Sequence, residues 1–347
     1  MGARGDRLAG VLVGTAIGDA LGLPVENLSA RRIRRLFGRI ERYRFLGRTG
    51  YVSDDTEQTA FVAQALIAAP KDPKLFAKAF ARKLKGWILR LPFGVGFATL
   101  RACMKLLAGV SPERSGVFSA GNGAAMRSAI VGAFFFENPE RRIAFCQALS
   151  RVTHTDPKAI EGAQFVAALA AQAVESPSEL RPDLEAACGE VHDEALLTAI
   201  TSAQRLVRDS ASTEDAAREL GVSGYVVHTV AFAAFCAARF GIDARKALEE
   251  AVNAGGDTDT IGAIVGALVG ARHGIAGLPK DLVDSLEDGP LGRGHLILLA
   301  KALGNGETLV PRYSAAKLLV RNVLLVPVIL AHVAWRVVGL LIPRPRG

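Results

Sequence analysis

Two short runs in this chain set carboxylates beside hydroxyls. Ser53-Asp54-Asp55-Thr56 follows a loop rich in Gly and Tyr, residues 47–52, and opens an apolar helical pattern. Gly255-Gly256-Asp257-Thr258-Asp259-Thr260 repeats the order of acid and hydroxyl, and an apolar run begins at Ile261. Taken singly, each reads as an ordinary helix start. Ser53 or Asp54 caps the first, and acids in a first turn favour the helix dipole. As a pair they are harder to explain that way. Hard oxygen donors of this kind suit Mg²⁺ or Mn²⁺ rather than Zn²⁺. Four carboxylates brought together repel strongly unless cations lie between them. Two divalent ions about 3.5–4 Å apart would neutralise them and form a two-metal hydrolytic centre. The paired glycines let the backbone turn tightly and approach something closely.

Three weaker signals accompany the acids. Gly121-Asn122-Gly123-Ala124-Ala125-Met126-Arg127 is a small-residue turn leading into a helix near Ala125. Backbone N–H groups at such a start can hold a phosphate. It is neither a P-loop nor a dinucleotide fingerprint, because no Gly-Lys-Ser/Thr follows and no strand precedes. In Thr153-His154-Thr155-Asp156-Pro157, His154 precedes a capped helix, where it is either structural or a contact for a sugar or phosphate. Gly18-Asp19-Ala20-Leu21-Gly22, with Glu26, adds an acidic pair after an Ala/Gly helix and by itself implies close packing and a turn.

These groups must be carried by helices. Apolar residues recur with the helical period over Asp54 to Ala69, Pro73 to Leu89, Pro139 to Arg151, Pro157 to Val174 and Asp243 to Ala254. Three of these segments begin with Pro, a favoured first helical residue, and Asn138 and Asp156 are good caps. Alternating β-branched runs are scarce, and no repeat period or low-complexity tract is present. Ser176 to Asp183 reads as a connector. The expected fold is all-α: one compact domain over residues 1–304 and an extension over 305–347.

Composition narrows the classes. The chain has 347 residues and is 50% hydrophobic, enough to bury a large core. The net charge of +8 favours anionic partners. Aromatics at 6% argue against a base-stacking single-strand binder, and no nucleic-acid signature accompanies the arginine-rich stretch Arg31 to Arg48. That stretch, poorly periodic, reads either as a surface for phosphates and membranes or as a solvated loop. Cys103, Cys146, Cys188 and Cys236 form no CxxC pair, so a reducing, cytoplasmic setting is expected. Within Met1 to Leu23, the apolar stretch from Leu8 carries Gly10, Gly14 and Gly18 and ends at Asp19, unlike a secretory leader. Near the other end, Asn322 to Ile342 is long enough to span a bilayer, which takes about 20 residues. Arg336 and His332 object, since an Arg costs about 2.5–3.5 kcal/mol at the bilayer centre. Lys317, Arg321, His332 and Arg336 share one stripe of a helical wheel. Such a helix spans a bilayer, since its many Val, Leu and Ile can offset the cost of Arg336, lies in a membrane interface, or packs or oligomerises on a protein surface, and these readings stay open.

Taken together, the motifs resemble those of the ADP-ribosylglycohydrolases, the family of dinitrogenase reductase-activating glycohydrolase and the ADP-ribosyl-acceptor hydrolases. The matching runs are residues 14–22, 53–56, 121–127, 153–157 and 255–260, in the family's order and spanning roughly residues 8 to 280. The resemblance implies an orthogonal all-helical bundle around two Mg²⁺ (or Mn²⁺) ions. It implies that Ser53, Asp54 and Asp55 form one half of the metal site, and that Asp257, Asp259 and Thr260 form the other. Ser53 stands where the family more often has Thr and keeps the hydroxyl. Glu26 matches an acidic residue near the first metal. The loop with Gly121, Asn122, Gly123 and Arg127 would hold a diphosphate, and His154 would sit near the substrate ribose or phosphate. Nothing in the family corresponds to the tail or the arginine-rich stretch.

The activity so implied is hydrolysis of the N- or O-glycosidic bond between ADP-ribose and an acceptor, on an ADP-ribosylated protein or another ADP-ribose conjugate. Glu26 or Asp55 would serve as general base or position the water. A non-catalytic ADP-ribose-binding member is the alternative from another class, and intact acidic clusters count against it.

Overall fold

In the computed structural model, residues 2–177 and 182–341 are described. The middle of the Ser176–Asp183 connector and the end of the apolar tail, with Ile342, Arg344 and Arg346, lie outside the described residues. Helices make up nearly all the regular structure, as the periodicity predicts. Pro73–Ile88, Pro139–Arg151 and Pro157–Glu175 start at their prolines. Asp72 accepts from Lys74 N and Leu75 N, Asn138 from Arg141 N, and Asp156 from Lys158 N. Each side-chain oxygen satisfies N–H groups that the first turn leaves without helical partners.

The centre of the bundle is a pair of antiparallel helices, Ala3–Gly22 and Thr258–His273. Glycines recur every fourth residue on the first (Gly10, Gly14, Gly18, Gly22) and face Gly270, Gly266, Gly262 and Thr258 on the second. A methyl group at Gly10, Gly14 or Gly18 would lie 2.1, 2.1 or 1.8 Å from the opposing carbonyl oxygen. The backbones therefore touch, closer than the 8–10 Å axis separation that ordinary side chains impose. The antiparallel sense sets Asp19, near the end of the first helix, beside the start of the second, where Asp257 and Asp259 stand.

The helix Asp54–Ala68 packs on the first and is buried nearly all round. Such a helix belongs inside a core, and its apolar members, Phe61 and Leu66 among them, each contribute about 1.5–3 kcal/mol by burial. Pro157–Glu175 and Val226–Phe240 enclose the Thr258 helix from other sides. Among the described residues, the strands are Leu28–Ser29 and Gly255–Gly256, an antiparallel pair of two residues each. This small ladder departs from a strictly helical reading and ties the Glu26 turn to the Asp257 turn.

The arginine-rich stretch also departs from expectation. Its first part is a helix, Ala30–Phe37, capped by Ser29. Ile33 is its one buried residue, so a single apolar anchor, rather than a periodic face, holds it. The last helix, Ala315–Leu341, carries Pro327 inside it and joins the rest through residues 305–314.

Candidate metal centre and pocket

The two distant acidic runs meet. Asp55 Oδ2 accepts a hydrogen bond of 3.3 Å from Thr260 Oγ1, across the boundary between the two runs. Around them lies a cavity of about 330 Å³. Glu26, Asp54, Asp55, Asp257, Asp259 and Thr260 line it, together with Thr99, Gly121, Asn122, Gly123 and His154 from other segments.

The first run is held by a carboxylate. Asp19, wholly buried, accepts from Ser53 N at 2.9 Å, from Thr56 N at 3.2 Å and from Thr56 Oγ1 at 2.5 Å. Burial pushes its pKa up to about 6 although these donors favour the charge. Ser53 caps the helix: Asp55 N donates to its Oγ, and that Oγ donates to Asp55 Oδ2. Ser53 therefore faces Asp55 and is not among the residues lining the cavity. Asp54 Oδ2 accepts from Gln58 Nε2 at 2.8 Å.

The second run is held by the backbone. Asp257 N donates to Val222 O at 2.7 Å, and Thr258 Oγ1 donates to Gly22 O at 2.9 Å. Gly256 sits at φ 78°, and a methyl there would lie 1.8 Å from Val222 O. Glycine alone fits on both counts. Asn122 Nδ2 donates to Asp257 Oδ2 at 2.6 Å.

The donor set fits divalent cations. One oxygen from each of Glu26, Asp257 and Asp259 lies within 4.8 Å of the others. Asp55 Oδ1 is buried and has no hydrogen-bond partner among the described residues. A buried, unpaired carboxylate oxygen is costly unless something positive meets it. Burial, then the neighbouring carboxylates, hold Asp54, Asp55 and Asp259 well above the ordinary carboxylate range. Glu26 is raised by burial and by Asp257, with Arg336 opposing. Cations between these groups would reverse the repulsion.

The loop residues divide. Gly121 and Gly123 lie against His154: a methyl on Gly123 would come 2.9 Å from its Cε1. His154 hydrogen-bonds Thr153 Oγ1 through Nδ1 at 2.8 Å. Burial, with Arg127 nearby, lowers its pKa to about 3, so the ring is neutral at ordinary pH and serves as a hydrogen-bonding group. The helix expected near Ala125 is a 3₁₀ segment, Asn122–Arg127. Arg127, expected at the substrate, lies behind the cavity wall. It is wholly buried and absent from the cavity lining. It donates to Gln58 Oε1 at 2.5 Å and Thr153 Oγ1 at 2.6 Å, and its guanidinium lies over Phe80. Gln58 holds Asp54 and Thr153 holds His154, so Arg127 braces both from behind.

Sequence reasoning passed over Asp19 as an anchor and missed the segment around Phe97 altogether. Gly94, Gly96, Phe97 and Thr99 line the cavity. Gly94, at φ 79°, packs against Asp54, where a methyl would meet Oδ1 at 2.8 Å. Gly94 and Gly96 were the available signal, but they belong to no motif.

Comparison with known proteins bears on this geometry. The chain matches the ADP-ribosylglycohydrolase family over residues 2–311. It is 34% identical over 293 residues to an uncharacterized protein of Archaeoglobus fulgidus, a match covering 82% of this chain and 92% of that one. It is 27% identical over 292 residues to the ADP-ribosyl-[dinitrogen reductase] glycohydrolase of Rhodospirillum rubrum, covering 81% of this chain and 90% of that one. A solved ADP-ribosylglycohydrolase-related protein complex has a chain that superposes with a TM-score of 0.67 at 28% identity. That match covers 89% of this chain and 100% of the other.

Proposed function

The chain belongs to the ADP-ribosylglycohydrolase family, and from that premise we propose that it hydrolyses the N- or O-glycosidic bond between ADP-ribose and an acceptor, using two Mg²⁺ or Mn²⁺ ions. The observation that carries this reading is the meeting of Asp55 and Thr260 over one cavity, with Asp55 Oδ1 left unpaired among the described residues. In this reading residues 1–304 are the catalytic unit and 305–347 an extension. The substrate is an ADP-ribosylated protein or a smaller ADP-ribose conjugate.

Asp54, Asp55, Asp257, Asp259 and Thr260 would hold the ions, with Glu26 and Ser53 adjoining. Bound there, divalent cations supply charge compensation and Lewis-acid polarisation at the reacting sugar. The chain's own residues supply the rest. Glu26 lines the cavity, which places its carboxylate to take a proton from the attacking water. Neutral His154 offers a hydrogen bond to a ribose hydroxyl or phosphate oxygen. Gly121 and Gly123 leave backbone exposed for the diphosphate, whose binding away from the anomeric carbon orients the sugar. Arg127 holds Asp54 and His154 in register through Gln58 and Thr153.

The test is release of free ADP-ribose from arginine-, serine- and nucleotide-linked conjugates with Mg²⁺ or Mn²⁺ present. Release from at least one, lost on chelation and in Asp257→Asn, supports the reading. Retained binding of ADP-ribose with no release from any conjugate marks a binding protein instead.

A further inference from the structure

The last helix, Ala315–Leu341, turns a mixed polar and apolar face to the protein and an apolar one outward. Its inward residues recur with the helical period, and Arg321, Asn322, His332 and Arg336 stand among them beside the buried Leu318 and Leu325. Arg321 pairs with buried Glu57, which also accepts from Trp87 Nε1. Asn322 Nδ2 donates to Arg90 O at 2.8 Å. His332 Nε2 donates to Pro24 O at 2.9 Å, and Arg336 donates to Glu26 O. The stripe read from the sequence thus faces the protein, apart from Lys317, which is exposed.

The opposite face is apolar and uncovered. Leu324 and Leu330 are 66% and 64% exposed, and Val320, Val333, Trp335 and Val337 about half. The helix is about 40 Å long at 1.5 Å per residue, so this stripe exceeds the apolar patches that monomers ordinarily leave in water. Beside it packs the helix Ala30–Phe37, whose Phe37 ring meets Trp335 edge-on at 5.2 Å. That helix exposes Arg31, Arg32 and Arg34, and Arg42 and Arg48 are exposed beyond it. Apolar face and arginines together match a surface with hydrocarbon below and negative charge above. A second copy paired about a twofold axis through this face would set two arginine clusters near each other. A helix crossing the bilayer would abandon the Arg321–Glu57 pair, strand a buried carboxylate and carry Arg321 and Arg336 into hydrocarbon.

We propose that the outward face of the last helix lies in the interface of an anionic membrane, with the arginines of residues 31–48 on its headgroups. The catalytic cavity then works beside that surface, since the same helix grips the Glu26 turn.

The test uses the full chain and vesicles of phosphatidylcholine, with or without phosphatidylserine. The expected result is sedimentation with the phosphatidylserine vesicles, weakening as salt rises. Of the chain's two tryptophans, Trp87 is fully buried and Trp335 half exposed, so a blue shift on vesicle addition reports Trp335 entering lipid. Leu324→Glu/Leu330→Glu/Val333→Glu, all at exposed positions, should cut binding about tenfold or more while far-UV circular dichroism stays unchanged. Arg31→Glu/Arg32→Glu/Arg34→Glu should remove the preference for phosphatidylserine. Failure to sediment with either vesicle, or equal sedimentation of the leucine and valine variant, overturns the proposal. So does a vesicle-independent dimer that this variant dissociates, which makes the occupant a second copy. Resistance to alkaline carbonate extraction overturns it in favour of a crossing helix.

Discussion

The two acid-bearing turns share a grammar and differ in what holds them. The turn at Ser53–Thr56 hangs on the Asp19 carboxylate, through three donors, and is buried throughout. The turn at Gly255–Thr260 hangs on main chain: a two-residue ladder, Val222 O and Gly22 O. Its Asp257 is half-buried and steadied from outside by Asn122. A turn held by a carboxylate responds to charge, whereas one held by backbone responds to shape. The same pair of acids can thus be fragile in two unrelated ways.

The largest expected effect treats both turns alike. Asp55→Asn and Asp257→Asn should each lower kcat/KM on the order of a thousandfold, with helical content unchanged. Their stabilities should differ. Asp55→Asn removes a buried group whose ionised form is penalised, so the metal-free protein should melt higher than wild type. A lower melting temperature would mean that Asp55 is already neutralised within the fold.

Shape comes next. Gly18→Ala should cost about 3 kcal/mol in urea unfolding, because the methyl meets a main-chain oxygen that cannot rotate away. Gly256→Ala should act at the second turn, lowering metal affinity with a smaller loss of global stability. Unchanged metal affinity would show that the second turn is not held by its backbone.

Charge follows. Asp19→Asn keeps one acceptor oxygen but turns an amide toward N–H donors. It should weaken catalysis about 10–100-fold, the usual cost of losing a group that orients a ligand. An effect as large as that of Asp55→Asn would place Asp19 among the ligands.

The smallest expected effect is in pH. Asp19 titrates near 6 in the folded chain against about 4 when unfolded, so the folded state binds more protons between those values. Stability from this group is present below about pH 4 and lost as pH rises through 6. The metal-free protein should weaken over that window, and Asp19→Asn should remove that part of the fall. Mg²⁺ favours the ionised carboxylates, so its gain in melting temperature should be larger at pH 8 than at pH 5. Equal gains, read by calorimetry, would disconnect the acids from the ion.

Much of this was legible in the residues. Proline-led helix starts are local patterns with local causes, and each lies where its pattern predicts. What was illegible depended on distant partners. Arg127 follows a glycine turn and so reads as an anion contact. Its burial is decided by Gln58, 69 residues away, and Thr153, 26 away. Asp19 reads as a turn former because its donors come from the next helix but one. A helical wheel gives the stripe on the last helix but not which side meets the protein. For the arginine-rich stretch, one buried Ile33 sufficed to anchor a helix that periodicity could not reveal.

The glycine contact between the helices Ala3–Gly22 and Thr258–His273 also constrains how this chain can vary. A core ordinarily drifts by exchange, one side chain enlarging as its neighbour shrinks. Along this seam there is nothing to exchange, since main chain meets main chain. Tolerated novelty must therefore accumulate at the periphery, in the segment around Phe97 and along the last helix. New partners or new locations can be explored there while the distance between the two acidic turns stays as it is.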